Sequence, residues 1–229
     1  MALRLRDLPA HVRAARIAEA AAACGIESLL DRPARQLSAG EAQRASLART
    51  LALRAAVTLL DEPLAGIDRA TRVQLLDDLP RLLSTFARTT ILVTHDREEA
   101  FRLADHLVVL VDGRVRAAGP KRSVYARPPD AVTAELLGYT VLRAGAHVIA
   151  VPPGGLCVGA GAPDFWMEVE RVVDLGNHRH AVGRVGEARV DLKLPDEDLV
   201  TGPGRRLRIA AREYVSLPPL DQASGSSPY

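Results

Sequence analysis

The chain reads as an α/β domain followed by a small all-β barrel, and three observations lead there. Two short apolar runs, Val57-Thr58-Leu59-Leu60 and Thr90-Ile91-Leu92-Val93, each end in a polar turn and then a helical pattern, the rhythm of buried strands in a parallel sheet. Past about residue 138 the texture changes to strands of a few residues parted by Gly, Asn, Pro and Asp, which suggests a small barrel. The length, 229 residues with 48% apolar, suits one medium domain plus a small one.

Composition narrows the function classes. A net charge of +2 is too small to argue for nucleic acid. No run of eighteen or more apolar residues occurs, so nothing spans a membrane as a helix. Met1 to Asp7 lacks the apolar run and cleavage site of a signal peptide, and the expected location is the cytoplasm. Cys24 and Cys157 stand apart from each other and from any His at ligand spacing, so two free thiols are expected.

The elements follow in order. Pro9 to Ala23 is an amphipathic helix, with Val12, Ile17 and Ala20–Ala21 on one face and Gly25 as its stop. Ser38-Ala39-Gly40-Glu41 fits a capping box and opens a helix to about Arg54. By itself this is an ordinary capped helix; the functional alternative is that its free N–H groups, the Ser38 hydroxyl and the Gly40 backbone meet a phosphate. The strand at Val57 ends in Asp61-Glu62-Pro63, and adjacent carboxylates at the carboxyl end of a buried strand are costly unless they hold a cation, do acid–base work or are paired structurally.

Leu64 to Asp68 is a turn, and Arg69 to about Ser84 a helix with a kink or early stop expected at Pro80. The strand at Thr90 delivers Thr94-His95-Asp96, followed by a short helix from Arg97 to Ala104; a lone histidine is usually structural, but this one also lies just past a strand end. Asp112-Gly113 between Leu107–Val111 and Arg114–Ala118 marks a hairpin. Gly119 to Gly138 reads as two short helices joined at Pro128-Pro129. Strands are expected at Val148–Val151, Trp166–Val173, Arg179–Val185, Ala188–Leu194, Leu207–Ala211 and Tyr214–Leu217. The expected domains are 1–138, 139–217 and a disordered tail, 218–229.

The motifs taken together resemble the ATP-binding subunit of an ABC transporter of the importer type. Leu37 to Glu41 is similar to the family's signature motif, with Ala39 where the family usually has glycine and Glu41 where it often has glutamine. Val57 to Glu62 resembles the Walker B strand with its catalytic glutamate, Leu64 to Asp68 the D-loop and His95 the switch histidine. The last third resembles the TOBE-like β-barrel appended to ATPase subunits for molybdate, sulfate, polyamines or sugars.

The resemblance implies ATP and Mg²⁺ as cofactors and a partial P-loop NTPase fold. Asp61 would hold Mg²⁺, Glu62 act as general base and His95 contact the γ-phosphate. Ser38, Ala39, Gly40 and Glu41 would clamp ATP bound to a second ABC ATPase subunit, and Asp68 would couple the two sites. The other implied partners are transmembrane permease subunits and, through them, a solute-binding protein, which would hold the chain at the inner face of the cell membrane. No Gly-x-x-x-x-Gly-Lys-Ser/Thr occurs in these residues, and only 36 residues precede Leu37. The family's phosphate loop, glutamine loop and adenine-stacking aromatic lie upstream in a longer stretch, so the expectation is an N-terminally truncated subunit, inactive alone, with an exposed sheet edge and apolar surface. The alternative is a non-catalytic regulatory or anion-binding subunit, for which Arg171, Arg179 and Arg184 are the barrel features that hint at an anion.

Overall fold

The computed structural model describes residues 8–144, 147–195 and 202–218. The chain divides into two compact units, Met1–Asp105 and His106–Tyr229.

In the first unit α1 (Ala10–Ala23) follows Pro9 and ends at Cys24, with Gly25 in the left-handed region at φ 62°. Two single 3₁₀ turns, Glu27–Leu29 and Ala34–Gln36, lead to α2 (Ala39–Ala52). β1 (Val57–Asp61) and β2 (Thr89–Val93) pair in parallel, Val57 opposite Thr89 through Asp61 opposite Val93. α3 (Arg69–Phe86) connects them, and α4 (Arg97–Leu103) follows β2. The core joins Ala20 and Ala21 of α1, Leu47 and Leu51 of α2 and Leu60 of β1 to Leu75, Leu76, Leu79, Leu82, Leu83 and Phe86 of α3. Burying each of these leucines contributes about 1.5–3 kcal/mol.

α3 does not stop at Pro80 but runs through it to Phe86, so of the kink or early stop expected there the early stop does not occur. Pro80 lies on the exposed side, and the buried leucine stripe on the opposite face holds both halves of the helix in place. Nor are β1 and β2 buried on both faces. Thr58 and Leu60 are covered, but Val57, Leu59, Ile91 and Val93 are 53%, 69%, 53% and 57% exposed. Among the described residues the helices of this unit cover one face of a two-stranded sheet, and the other is open apolar surface.

The second unit opens with the hairpin β3 (His106–Val111) and β4 (Arg114–Pro120). Its turn has Asp112 at φ 50° and Gly113 at φ 72°, the left-handed pair that a two-residue hairpin of this twist requires. α5 (Lys121–Ala126) and α6 (Ala131–Leu136) come next. The units part at 105/106, earlier than the 138/139 boundary read from texture. The hairpin and both helices belong with the β-rich part of the chain: Tyr139 donates from its hydroxyl to the Tyr125 carbonyl at 2.7 Å and stacks against that ring.

The remaining strands form two antiparallel sheets. One is β12 (Val215–Leu217), β6 (His147–Val151), β5 (Thr140–Ala144); the other is β10 (Ala188–Lys193), β9 (Arg179–Val185), β8 (Asp164–Asp174), β11 (Arg206–Ala211), β7 (Leu156–Val158). Leu142, Ile149 and Val151 of the first share one core with Met167, Val169, Val190, Leu207 and Ile209 of the second. Among the described residues the pairing gives an open half-barrel of two sheets instead of one closed barrel. β5 and β7 are additional to the expected strands, and β7 has only three residues. The expected tail from residue 219 on lies outside the described residues.

Candidate functional site

The signature-like turn forms as its residues dictate. Ser38 caps α2: its Oγ accepts from the Glu41 N–H at 3.3 Å, and Glu41 Oε2 accepts from the Ser38 N–H at 2.8 Å. Those bonds, with Arg32 at 3.3 Å, hold the Glu41 carboxyl below its ordinary range. Ala39 and Gly40 are the first two helical residues, and a helix start leaves the N–H groups of its first turn without intrahelical partners. Gly40 runs beside the next turn: a Cβ there would lie 3.6 Å from the Gly66 carbonyl oxygen.

The two strand ends meet. Glu62 follows β1 at φ 45°, a conformation a non-glycine residue holds only when its surroundings fix it. They do so here. Its N–H donates to Val93 O at 2.9 Å, and its carbonyl accepts the Gln43 side-chain amide at 3.0 Å. Gln43 also donates to Pro63 O at 2.9 Å, which fastens α2 to the turn after β1. Glu62 Oε1 lies 2.6 Å from His95 Nδ1 and accepts the His95 N–H at 3.1 Å. The Glu62 hydrogen bond, with its charge, raises the His95 pKa above the ordinary value. The Glu62–His95 pair is therefore assembled by the fold. Asp61 is exposed on the same open sheet face as Leu59 and Val93. Among the described residues no group of three or more His, Cys, Asp or Glu side chains is placed to hold a metal ion.

Asp68 caps α3, its Oδ1 accepting from Thr71 N–H at 3.0 Å, which lowers its pKa. The barrel arginines offer less: Arg184 pairs with Glu170 at 3.1 Å. Cys24 and Cys157 are free thiols, and burial pushes Cys24 up to about 11.

Sequence reasoning missed Gln43 and a cluster around His95. Gln43 lies four residues before buried Leu47, so it shares the inward face of α2. Asp96 caps α4 by accepting from the Glu99 N–H at 3.1 Å; the Asp-x-x-Glu spacing was the signal for it.

A capped helix start is thus fastened to a strand that ends in two carboxylates, with a histidine delivered by the neighbouring strand. Residues 3–65 match the family model described as ABC transporter, and this stretch belongs to that family. The chain is 41% identical over 136 residues to an Fe(3+) ions import ATP-binding protein of Streptomyces coelicolor, a match covering 59% of this chain and 39% of the relative. It is 35% identical over 219 residues to a spermidine/putrescine import ATP-binding protein of Marinobacter nauticus, covering 93% of this chain and 56% of that one. A molybdate/tungstate import ATP-binding protein of Thermococcus kodakarensis is 36% identical over 181 residues, covering 73% and 55%. The chain thus spans between 39% and 56% of the length of these curated relatives. Among solved structures, cbiO1 of Clostridium perfringens, part of the ABC transporter complex cbiONQ, matches at 30% identity and a TM-score of 0.47 over 55% of this chain and 51% of that one.

Proposed function

We propose that these 229 residues act as the signature-bearing and hydrolytic-strand portion of an ATP-binding subunit of an ABC importer. The observation that carries the reading is the 2.6 Å contact between Glu62 and His95 at the ends of two parallel strands. Import ATP-binding relatives matched over up to 93% of the chain support it.

The side chains fit the roles. Ser38 Oγ accepts within the cap, which leaves its O–H free to donate to a γ-phosphate oxygen beside the Ala39 and Gly40 N–H groups. Glu41 is turned back onto the Ser38 N–H and Arg32, so its charge does not stand unopposed at the helix mouth. Glu62, held by His95, is placed to orient and deprotonate water. Asp61 supplies one exposed carboxylate, which suits Mg²⁺ because that ion takes one or two protein carboxylates alongside waters and phosphates. When bound, Mg²⁺ neutralises charge on the phosphates.

The residues contain no Gly-x-x-x-x-Gly-Lys-Ser/Thr, the sequence that cradles β- and γ-phosphates. In this reading the cradle comes from outside these residues, and Ser38 to Glu41 close over ATP held by a second subunit. Contact with permease subunits would place the chain at the inner membrane face; among the described residues no helix is long and apolar enough to cross a membrane.

Calorimetric titration of Mg-ATP tests this. No saturable heat is expected from the chain alone. Saturable binding is expected in a mixture with an ABC ATPase subunit chosen for carrying a phosphate loop, weakened by Gly40→Asp, which sets a negative charge where phosphate must sit. Tight binding to the chain alone, or indifference of the mixture to Gly40→Asp, would overturn the reading.

A further inference from the structure

An ion-paired cluster stands between the Asp68 turn and the His95 turn, and the ATP site proposed for this chain assigns it no role. Arg72 lies one helical turn into α3, and its N–H donates to the Asp68 carbonyl at 2.9 Å. Its guanidinium Nη2 bridges two carboxylates, Asp96 Oδ2 at 2.5 Å and Glu99 Oε1 at 3.0 Å. Glu99 is 3% exposed. The Thr94 hydroxyl donates to Glu99 Oε2 at 2.7 Å and accepts the Asp96 N–H at 3.0 Å. The residues on both sides of His95 are therefore tied into one cluster, while the His95 side chain is 86% exposed and touches the rest of the site through Glu62.

The physical consequences are specific. A carboxylate as deeply buried as Glu99 is stable only while its partners stay. Two carboxylates share one guanidinium, so Arg72 also suppresses their mutual repulsion. Both contacts run from the one nitrogen, Nη2, whose two N–H groups have fixed directions in the guanidinium plane. The backbone of 94–96 is thereby held in one geometry, and that geometry aims His95 Nδ1 at Glu62.

We propose that Arg72 is a positioning residue that joins the Asp68 turn to the His95 turn, so that a displacement at Asp68 reaches the His95–Glu62 contact through Asp96, Glu99 and Thr94. The linkage rests on the reading of Glu62 and His95 as a hydrolytic pair for its purpose, but not for its existence. It gives the cap at Asp68 a mechanical connection to the site that runs through this side-chain cluster instead of through the open sheet.

The test is the ring tautomer of His95 in the whole chain, read from the ¹⁵N shifts of its imidazole while neutral. The partner of one ring nitrogen sets which nitrogen carries the proton. In the native protein the Nδ1–H form, donating to Glu62, is expected to dominate. Arg72→Met is expected to make it the minor form, and Arg72→Lys to restore it in part. Asp68→Ala is expected to shift the tautomer in the native background and to add nothing in the Arg72→Met background, the non-additivity of a shared route. If Arg72→Met does not fold, Glu99→Gln carries the same comparison, because it keeps shape and removes one of the two charges that Arg72 bridges. An unchanged tautomer in either folded variant, or additive effects of Asp68 and Arg72 substitutions, overturns the proposal. ATP turnover with a phosphate-loop subunit separates the two readings: a tautomer that responds without any turnover in the native mixture leaves the positioning role standing and removes the hydrolytic one.

Discussion

The two units solve the same packing problem to different degrees. In the second, two antiparallel sheets enclose Leu142, Met167, Val190 and Ile209, none more than 1% exposed. In the first, helices seal one face of a two-stranded sheet, and the other presents Val57, Leu59, Ile91 and Val93 to solvent. Yet the candidate site lies in the first unit. What fixes it there is a set of local devices: the reciprocal Ser38–Glu41 cap, the Gln43 clamp, the Asp68 and Asp96 caps and the Arg72 bridge. A site can be precise where one face of its sheet is open, provided hydrogen-bonded turns carry the geometry.

The sharpest contrast is between inward and outward sheet residues. Ile209→Ala, at a fully buried position in β11, is expected to destabilise the second unit by about 2–5 kcal/mol. Leu59→Ala on the open face of β1 should change stability by less than ~0.5 kcal/mol and reduce self-association. Denaturant titration and sedimentation read both; comparable losses at the two sites would erase the contrast.

Next comes the backbone approach between β8 and β9. A Cβ at Gly183 would lie 2.1 Å from the Glu168 carbonyl oxygen, beside the register shift between Val169 and Arg171. Gly183→Ala should cost about 1–3 kcal/mol, as overpacking does, and a neutral result in chemical denaturation would mean the strands part more easily than the geometry implies. Ser38→Ala removes one half of the capping box and should cost about 1 kcal/mol, measured as a loss of stability confined to the first unit.

The smallest effect is electrostatic. The pKa of His95 is raised, chiefly by its hydrogen bond to Glu62. The stabilisation is fully present below the unfolded value of about 6.5 and is lost as pH rises through the higher folded value. An NMR titration should place the His95 midpoint above 6.5, and Glu62→Gln should lower it; a midpoint that ignores Glu62 would contradict the contact.

Much of this was legible because it is local. Ser38 and Glu41 at capping-box spacing, the Asp112-Gly113 turn and the helices flanking Pro128-Pro129 are dictated by neighbours in sequence. The open face of β1 and β2 was misread at the level of strand texture: an apolar run records what could be buried, not how many layers are present to bury it. Gln43 and Arg72 were missed for the same reason. Their partners lie 19 to 27 residues away; a helical stretch can put Gln43 on the inward face of α2, but it does not name the turn that the side chain reaches.

One experiment decides whether the signature face works as proposed. The chain is mixed with an ABC ATPase subunit that carries a phosphate loop but whose own signature has been disabled, and Mg-ATP hydrolysis is followed. Turnover should be absent from either component alone, arise in the mixture, and vanish with Gly40→Asp in this chain. Hydrolysis by the chain alone, or a mixture in which Gly40→Asp changes nothing, would show that Ser38 to Glu41 do not complete an ATP site.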